Sequence, residues 1–170
     1  HLPLALLAGV AVFVVWIAPE TGFAARLPRL QQAYLLWGVM PPGKVPEPLT
    51  VLPYAPQVCG WPLALVRLGG SAFVIAVIEE FFWRGFLYRW LLARDFTRAD
   101  LGTFHAGMFI AVGIVFGLEH DRWLVGILAG LAYGWVAVRT RDIWAAALAH
   151  VVTNFLLGVY VLAVGAYQFW

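Results

Sequence analysis

Charged side chains are scarce in this sequence. They make up 12% of its 170 residues, whereas 63% of the residues are hydrophobic. Soluble domains carry about 25% charged residues, and a soluble domain of this length has too small an interior to bury so much apolar surface. The same composition excludes an intrinsically disordered chain. We therefore expect a polytopic membrane protein.

Cysteine, lysine and net charge are also low, and each low value excludes a class. The one cysteine, Cys59, has no second thiol for an internal disulfide, so a disulfide-rich scaffold is excluded. Lys44 is the single lysine, and a net charge of +2 is too small for a nucleic-acid groove, so no nucleic-acid partner is expected. Since the first residue is His1 rather than methionine, we expect that further segments precede it.

Long apolar runs predict an all-α fold, a polytopic transmembrane helical bundle. A membrane-spanning helix needs about 20 apolar residues. Glycines four residues apart predict close contacts between helices; these are Gly113 and Gly117, then Gly126, Gly130 and Gly134. We expect four clear spans and one or two shorter segments among helices over 2–18, 61–94, 103–118, 123–138 and 143–164.

The chain divides at residue 60 by composition. Residues 1–60 combine the first transmembrane helix with a proline-rich segment. In that segment Leu30–Met40 is too short to span and is expected to be a re-entrant or interfacial helix, and Pro46–Pro56 is expected to be an extended loop. Residues 61–170 are predicted to form the catalytic helical core.

Ionisable residues within the apolar helices are the most informative feature. Each costs roughly 2.5–3.5 kcal/mol to place in a membrane, so it is expected to pair or to function. Glu80 and Arg84 are four residues apart on one helix face and are expected to pair. Glu79 points about 100° away, which leaves its carboxylate for another partner, although both acids could instead bracket Arg84 in a structural cluster. Arg67, near a helix start, is expected to snorkel to the interface.

Two later helices contribute the other polar side chains. His120 ends one helix, and His150 and Asn154 lie one turn apart on the last. Taken singly, His120 could mark a helix boundary, and the other two could form an interhelical hydrogen-bond clamp. Together with Glu79 they supply a general base, its partner and donors for a developing oxyanion. We therefore predict a polar intramembrane cavity in which water hydrolyses an acyl bond.

Three short motifs carry a resemblance to a known family. They read Glu79-Glu80-Phe-Phe-Trp-Arg84, Phe116-Gly-Leu-Glu-His120 and His150-Val-Val-Thr-Asn154. In this order, each on its own predicted helix, they resemble the EExxxR, FxxxH and HxxxN motifs of the CAAX-protease and bacteriocin-processing family (CPBP, or Abi) of intramembrane glutamic proteases. The resemblance covers roughly residues 61–160. In general character the chain is also similar to bacterial members associated with exosortase-type protein sorting.

The resemblance implies an intramembrane endopeptidase with a role for each residue. Glu79 and His120 would activate water, Glu80 would hold the motif's arginine, and His150 with Asn154 would form the oxyanion hole. No metal or cofactor is expected. The implied partners are the lipid bilayer and a membrane-associated peptide or protein substrate, such as a C-terminal sorting or lipidated tail. The implied location is a bacterial inner membrane.

Other functions fit the same residues. Glu79, His120 and His150 could bind zinc in a three-ligand site, although the HExxH signature is missing. A non-catalytic membrane immunity or scaffold protein could keep the polar cluster for packing, and a transporter could use it as a proton relay. Loss of cleavage in a Glu79→Gln protein that still inserts normally would favour the protease over the non-catalytic protein.

Overall fold

The computed structural model describes residues 1–22, 24–50 and 52–170. Within these residues the regular structure is entirely helical, which confirms the all-α prediction. Short helical turns connect some of the longer elements. The six principal helices are α1 Leu2–Ile17, α2 Pro28–Trp37, α3 Trp61–Leu92, α4 Ala106–Leu118, α5 Trp123–Thr140 and α6 Ile143–Val164.

Four segments are long and apolar enough to cross a bilayer, which confirms an integral membrane protein. They are Leu2–Glu20, which contains α1, and helices α3, α5 and α6. Helix α4 has 13 residues, or about 20 Å at 1.5 Å per residue, and is shorter than a bilayer core of about 30 Å. It begins at Ala106 rather than at the predicted Thr103, because the side chain of His105 caps it by accepting the backbone N–H of Met108.

Helix α3 contains two π-helical stretches that flank the acidic pair. They are Gly70–Ile75 and Phe81–Tyr88, and the short α-helical stretch Ala76–Glu80 between them carries both glutamates. In a π-helix the backbone hydrogen bonds run from residue i to i+5, and such stretches are frequent at functional sites. The sequence predicts an ordinary helix over this segment, since apolar periodicity does not mark a π-helical turn.

Glycines bring α4 and α5 into close contact, as predicted. A Cβ atom on Gly117 would lie 2.5 Å from the backbone nitrogen of Ile127, and one on Gly130 would lie 3.0 Å from the carbonyl oxygen of Gly113. Larger side chains would force the two backbones apart. The C-terminal end of α4, which precedes His120, is therefore held directly against α5.

Helix α1 packs along α5 and α6 and is fastened to them by polar contacts. Where α1 crosses α6, the hydroxyl of Thr153 donates to the carbonyl of Gly9 at 2.9 Å. Beyond the end of α1, Arg122 donates two hydrogen bonds to Glu20, at 2.6 and 3.0 Å, in a pair that is nearly buried. The N-terminal segment therefore forms one wall of the bundle.

Helix α2 is displaced towards the N-terminus relative to the predicted Leu30–Met40. It begins at Pro28, because a missing N–H is tolerated in the first turn, and it ends at Trp37. The chain that follows pairs with the loop before α5, where the backbone N–H of Met40 donates to the carbonyl of Asp121 at 2.7 Å. This pairing, which is remote in sequence, explains why Met40 lies outside the helix.

The predicted extended loop Pro46–Pro56 is mostly irregular in its described part. A turn forms at residues 53–54, and a helical turn begins at Pro56. Position 51 of this loop lies outside the described residues.

Candidate active site

Glu80 and Arg84 form a buried ion pair at the centre of the bundle. Arg84 Nη1 donates to Glu80 Oε1 at 2.8 Å, and the two side chains are 2% and 0% exposed. Arg84 Nη2 donates to the carbonyl of Gly130 on α5, and the guanidinium lies 4.8 Å from the ring centroid of Phe116 on α4. Buried charges are costly unless paired and hydrogen-bonded. The pair therefore joins α3 to both α4 and α5.

His150 is held by the same carboxylate. Its Nδ1 lies 3.1 Å from Glu80 Oε1, and its ring stacks on Tyr133 with centroids 4.6 Å apart. An ionised carboxylate only accepts hydrogen bonds, so Nδ1 carries the hydrogen. In the neutral ring, Nε2 is then an acceptor, and it faces Glu79 Oε2 at 3.9 Å.

Glu79 is the acid that remains uncommitted. Its Oε2 is buried and, among the described residues, has no hydrogen-bond partner. The 3.9 Å to His150 is too long for a direct hydrogen bond. A polar atom left unpaired in an apolar surrounding costs free energy, so this oxygen lies where a water molecule or substrate group would find an acceptor.

His120 also has one nitrogen committed. Its Nδ1 lies 2.8 Å from the carbonyl oxygen of Phe116, one turn earlier. Since a carbonyl only accepts, Nδ1 donates, and Nε2 of the neutral ring is free to accept a hydrogen bond. The ring packs against Phe116 at 4.9 Å and against Trp16 of α1 at 5.5 Å. Phe116 also lies 5.8 Å from the ring of His150, so its ring is close to both imidazoles.

Asn154 lies one turn after His150 on α6. Its Nδ2 donates one hydrogen bond, at 3.1 Å, to the backbone carbonyl of Ser71 in the first π-helical stretch of α3. The carboxamide NH₂ carries two hydrogens. One hydrogen therefore orients the side chain, and the other remains for a ligand.

One cavity of about 160 Å³ lies within the bundle, and three of the six predicted site residues, His120, His150 and Asn154, belong to its lining. Glu79 is not part of this lining, but its Oε2 lies 3.9 Å from Nε2 of His150, which is. Because a water molecule takes about 30 Å³, the cavity has room for a few waters or a peptide group. Its other lining residues are Trp16, Arg67, Ser71, Phe116, Ala129, Tyr133, Thr153, Leu157, Phe169 and Trp170.

Several of these lining residues were not anticipated from the sequence. Trp16 comes from α1 and Trp170 from the C-terminal tail, and both line the cavity beside the helices of the predicted core. Tryptophans near helix ends are typical of the membrane interface, so their sequence positions carried no signal for a site. Arg67 did carry a sequence signal for a site, because it is a charged residue within an apolar helix. It lines the cavity, a place that the snorkelling interpretation did not indicate.

The zinc alternative finds no support in the geometry. Throughout the described ranges 1–22, 24–50 and 52–170, no three His, Cys, Asp or Glu side chains form a group that could hold a metal ion. His120 donates to Phe116 and packs on Trp16, whereas Glu79 faces His150.

Comparison with protein families gave one match. A family model described as "Type II CAAX prenyl endopeptidase Rce1-like" matches residues 61–156. This range runs from the start of α3 to beyond the middle of α6. This range contains all the site residues predicted from the sequence. Comparisons with curated proteins and with solved structures gave no match.

Proposed function

Because the chain belongs to the type II CAAX prenyl endopeptidase Rce1-like family, we propose that it is an intramembrane endopeptidase in which Glu79 and His120 activate water. The family and the four apolar segments support a membrane-embedded peptide hydrolase. One observation carries the glutamate mechanism. Glu79 Oε2 is buried, has no partner among the described residues, and lies 3.9 Å from Nε2 of a histidine that lines the cavity.

The first step is the activation of water. Glu79 takes a proton from a water molecule in the cavity, and the resulting hydroxide attacks the substrate carbonyl. His120 accepts a hydrogen bond at Nε2 from the O–H that remains on that water, since its Nδ1–H is committed to the carbonyl of Phe116. A positioned general base of this kind contributes about 10²–10⁴ to the rate.

The second requirement is stabilisation of the oxyanion. Asn154 supplies its free amide hydrogen. His150 donates from Nε2 only as an imidazolium, because its Nδ1–H points to Glu80. Before the reaction the carboxylates of Glu79 and Glu80 balance the imidazolium of His150 and the guanidinium of Arg84. After Glu79 has accepted the proton from water, the negative charge of the oxyanion takes the place of the Glu79 charge, so the site has no net charge at either stage.

The last step completes the catalytic cycle and needs no further reagent. The proton that Glu79 received passes to the amide nitrogen as the C–N bond breaks. The products are a carboxylic acid and an amine, and Glu79 returns to its carboxylate form.

The substrate in this proposal is a membrane-associated protein or peptide. The family description names a prenyl endopeptidase, which supports a lipidated C-terminal tail, and a C-terminal sorting segment presents similar chemistry. We place the enzyme in a bacterial inner membrane, as the resemblance of its motifs implies.

The test compares matched carboxylate-to-amide changes. The wild type, Glu79→Gln and Glu47→Gln are reconstituted in nanodiscs with a randomised pool of N-palmitoylated peptides, and released fragments are measured by mass spectrometry. Glu47 is the control because it is exposed and forms an exposed ion pair with Lys44. We expect cleavage by the wild type and by Glu47→Gln, and a loss of at least about 100-fold in Glu79→Gln, with equal insertion and elution.

Two outcomes would overturn the proposal. Undiminished cleavage by Glu79→Gln would remove the glutamate mechanism. Loss of cleavage after exhaustive chelation, restored by added zinc, would replace it with metal-dependent hydrolysis. The same variants compared in cells, by mass spectrometry of membrane proteins, would identify natural substrates as proteins that are shortened only when Glu79 is intact.

A further inference from the structure

Arg67 is a charged residue of the cavity that the proposed mechanism does not use. It lies on α3, and it lines the cavity together with His150 and Asn154. Its guanidinium carbon is 4.1 Å from the ring centroid of Tyr54 and 5.6 Å from that of Trp170. Cation–π contacts of this kind hold a guanidinium in one orientation.

The guanidinium has no acidic partner in the part of the chain that the structure describes. Two arginines are nearly or fully buried there, and both are paired, Arg84 with Glu80 and Arg122 with Glu20. Arg67 is half-buried and, in contrast, is absent from the ion pairs of the described residues. Its Nε is buried without a hydrogen-bond partner, as is that of Arg84. An unpaired cation within a membrane segment is costly and is therefore a functional-site hypothesis.

The chemistry of the missing partner follows from the shape of the group. A guanidinium presents parallel N–H donors in a planar fork, and this fork matches the two oxygens of a carboxylate. We propose that Arg67 binds a carboxylate of the substrate and so determines which peptide bond reaches Glu79. This inference rests on the proposed function, since it names a feature of the substrate of the same site.

The position of Arg67 sets the distance between that carboxylate and the cleaved bond. Ser71, whose carbonyl orients Asn154, follows Arg67 by one helical turn, or about 6 Å. An extended peptide advances about 3.4 Å per residue. A carboxylate bound at Arg67 is therefore only a few residues from a carbonyl bound at Asn154. The small volume of the cavity, about 160 Å³, also favours a short segment.

Two sources of the carboxylate are possible, the C-terminus of the substrate or an Asp or Glu side chain. Three pools of N-palmitoylated peptides separate them. The first has a free C-terminal acid and no acidic side chain, the second has a C-terminal amide and one glutamate, and the third has a C-terminal amide and no acid. All three pools carry the same lipid, so vesicle binding by each pool provides the control for membrane partition.

The enzymes compared are the wild type, Arg67→Gln, Arg67→Lys and Arg98→Gln. Arg98 is the control for loss of a cation, because its side chain is 87% exposed and it lies away from the cavity. We expect the wild type and Arg98→Gln to cleave an acidic pool about 10- to 100-fold better in kcat/KM than the neutral pool, the range for hydrogen bonds to charged groups. In Arg67→Gln the kcat/KM for the acidic pools falls to the value for the neutral pool, so the preference is lost, and Arg67→Lys retains part of it. Preference for the first or the second pool identifies the source.

Other results would overturn the inference. If Arg67→Gln lowers cleavage of all three pools equally, Arg67 acts on the oxyanion or on the fold. If Arg67→Gln changes nothing, it binds no carboxylate. Retention of the pools on immobilised Glu79→Gln protein separates this inference from the proposed function, because it needs no turnover. Equal retention of acidic and neutral pools refutes carboxylate binding, whereas cleavage by Glu79→Gln refutes the mechanism alone.

Discussion

Replacing Arg84 with methionine tests how much the buried ion pair stabilises the bundle. The substitution keeps a long, unbranched side chain but removes a cation that is 2% exposed, and it leaves the fully buried Glu80 carboxylate without its counter-ion. Removing one partner of a buried pair typically costs about 3–5 kcal/mol. The hydrogen bond to the carbonyl of Gly130 is lost as well. Since these two costs overlap, we expect the free energy of unfolding to fall by about 3–5 kcal/mol.

A double-mutant cycle shows whether the cost comes from the pair. Glu80→Gln removes the orphaned charge, so the double variant should recover about 1–3 kcal/mol relative to the sum of the two single changes. Denaturant unfolding in one detergent measures each variant. The matched control is Arg98→Gln, whose exposed pair with Asp95 should contribute less than about 1 kcal/mol.

Two results would refute this reasoning. Arg84→Met could lie within about 1 kcal/mol of the wild type, the size of an exposed pair. Alternatively, the two single changes could be additive, which would mean that the two side chains do not interact energetically. Activity provides a second readout, because Glu80 also orients His150 at 3.1 Å, and we expect both single variants to cleave more slowly.

Two further changes test the contacts that surround the site. Gly117→Ala should lower stability by about 1–3 kcal/mol, because a Cβ would lie 2.5 Å from the backbone nitrogen of Ile127. Gly69→Ala, where a Cβ meets nothing within 4 Å, should be neutral or stabilising by up to about 1 kcal/mol; thermal unfolding midpoints in the opposite order would contradict the packing argument. Arg122→Gln should lower stability by about 3 kcal/mol or more, since it leaves the nearly buried Glu20 unpaired. Adding Glu20→Gln should restore part of that loss, and unfolding curves that show no restoration would rule out the pair as its cause.

Features that depend on local sequence were predicted well. The last helix has the predicted bounds, Ile143–Val164, because Asp142 caps its first turn by accepting the backbone N–H of Trp144 and Gly165 ends it in a left-handed conformation. Glu80 and Arg84 pair as the spacing of four residues indicated, because both lie on one helix. Contacts between neighbouring helices were also predictable where glycines marked them, as at Gly117.

Features that depend on a specific partner, local or remote, or on packing were not predicted. The N-terminus of α4 moves to Ala106 because His105 caps it, and α2 ends before Met40 because that residue pairs with Asp121. The π-helical stretches around Glu79 left no trace in the apolar periodicity. In each case the decisive partner is a cap, a remote backbone group or a packing constraint that single-residue preferences do not encode.

The sequence by itself determined that the chain is a helical membrane protein, since so much apolar surface has no other stable environment, and it determined which polar residues had to be accommodated inside. Only the tertiary structure decided which of those residues bind one another and which remain without a partner. Glu80 Oε1 holds both Arg84 and Nδ1 of His150, whereas Glu79 forms no hydrogen bond to a side chain of the described residues and keeps a buried free oxygen near His150. Tertiary packing also placed Arg67 in the cavity lining between two aromatic rings, without an acid among the described residues. The physical reason is that each N–H or O–H group donates along one direction. Which acceptor lies in that direction depends on how separate helices pack.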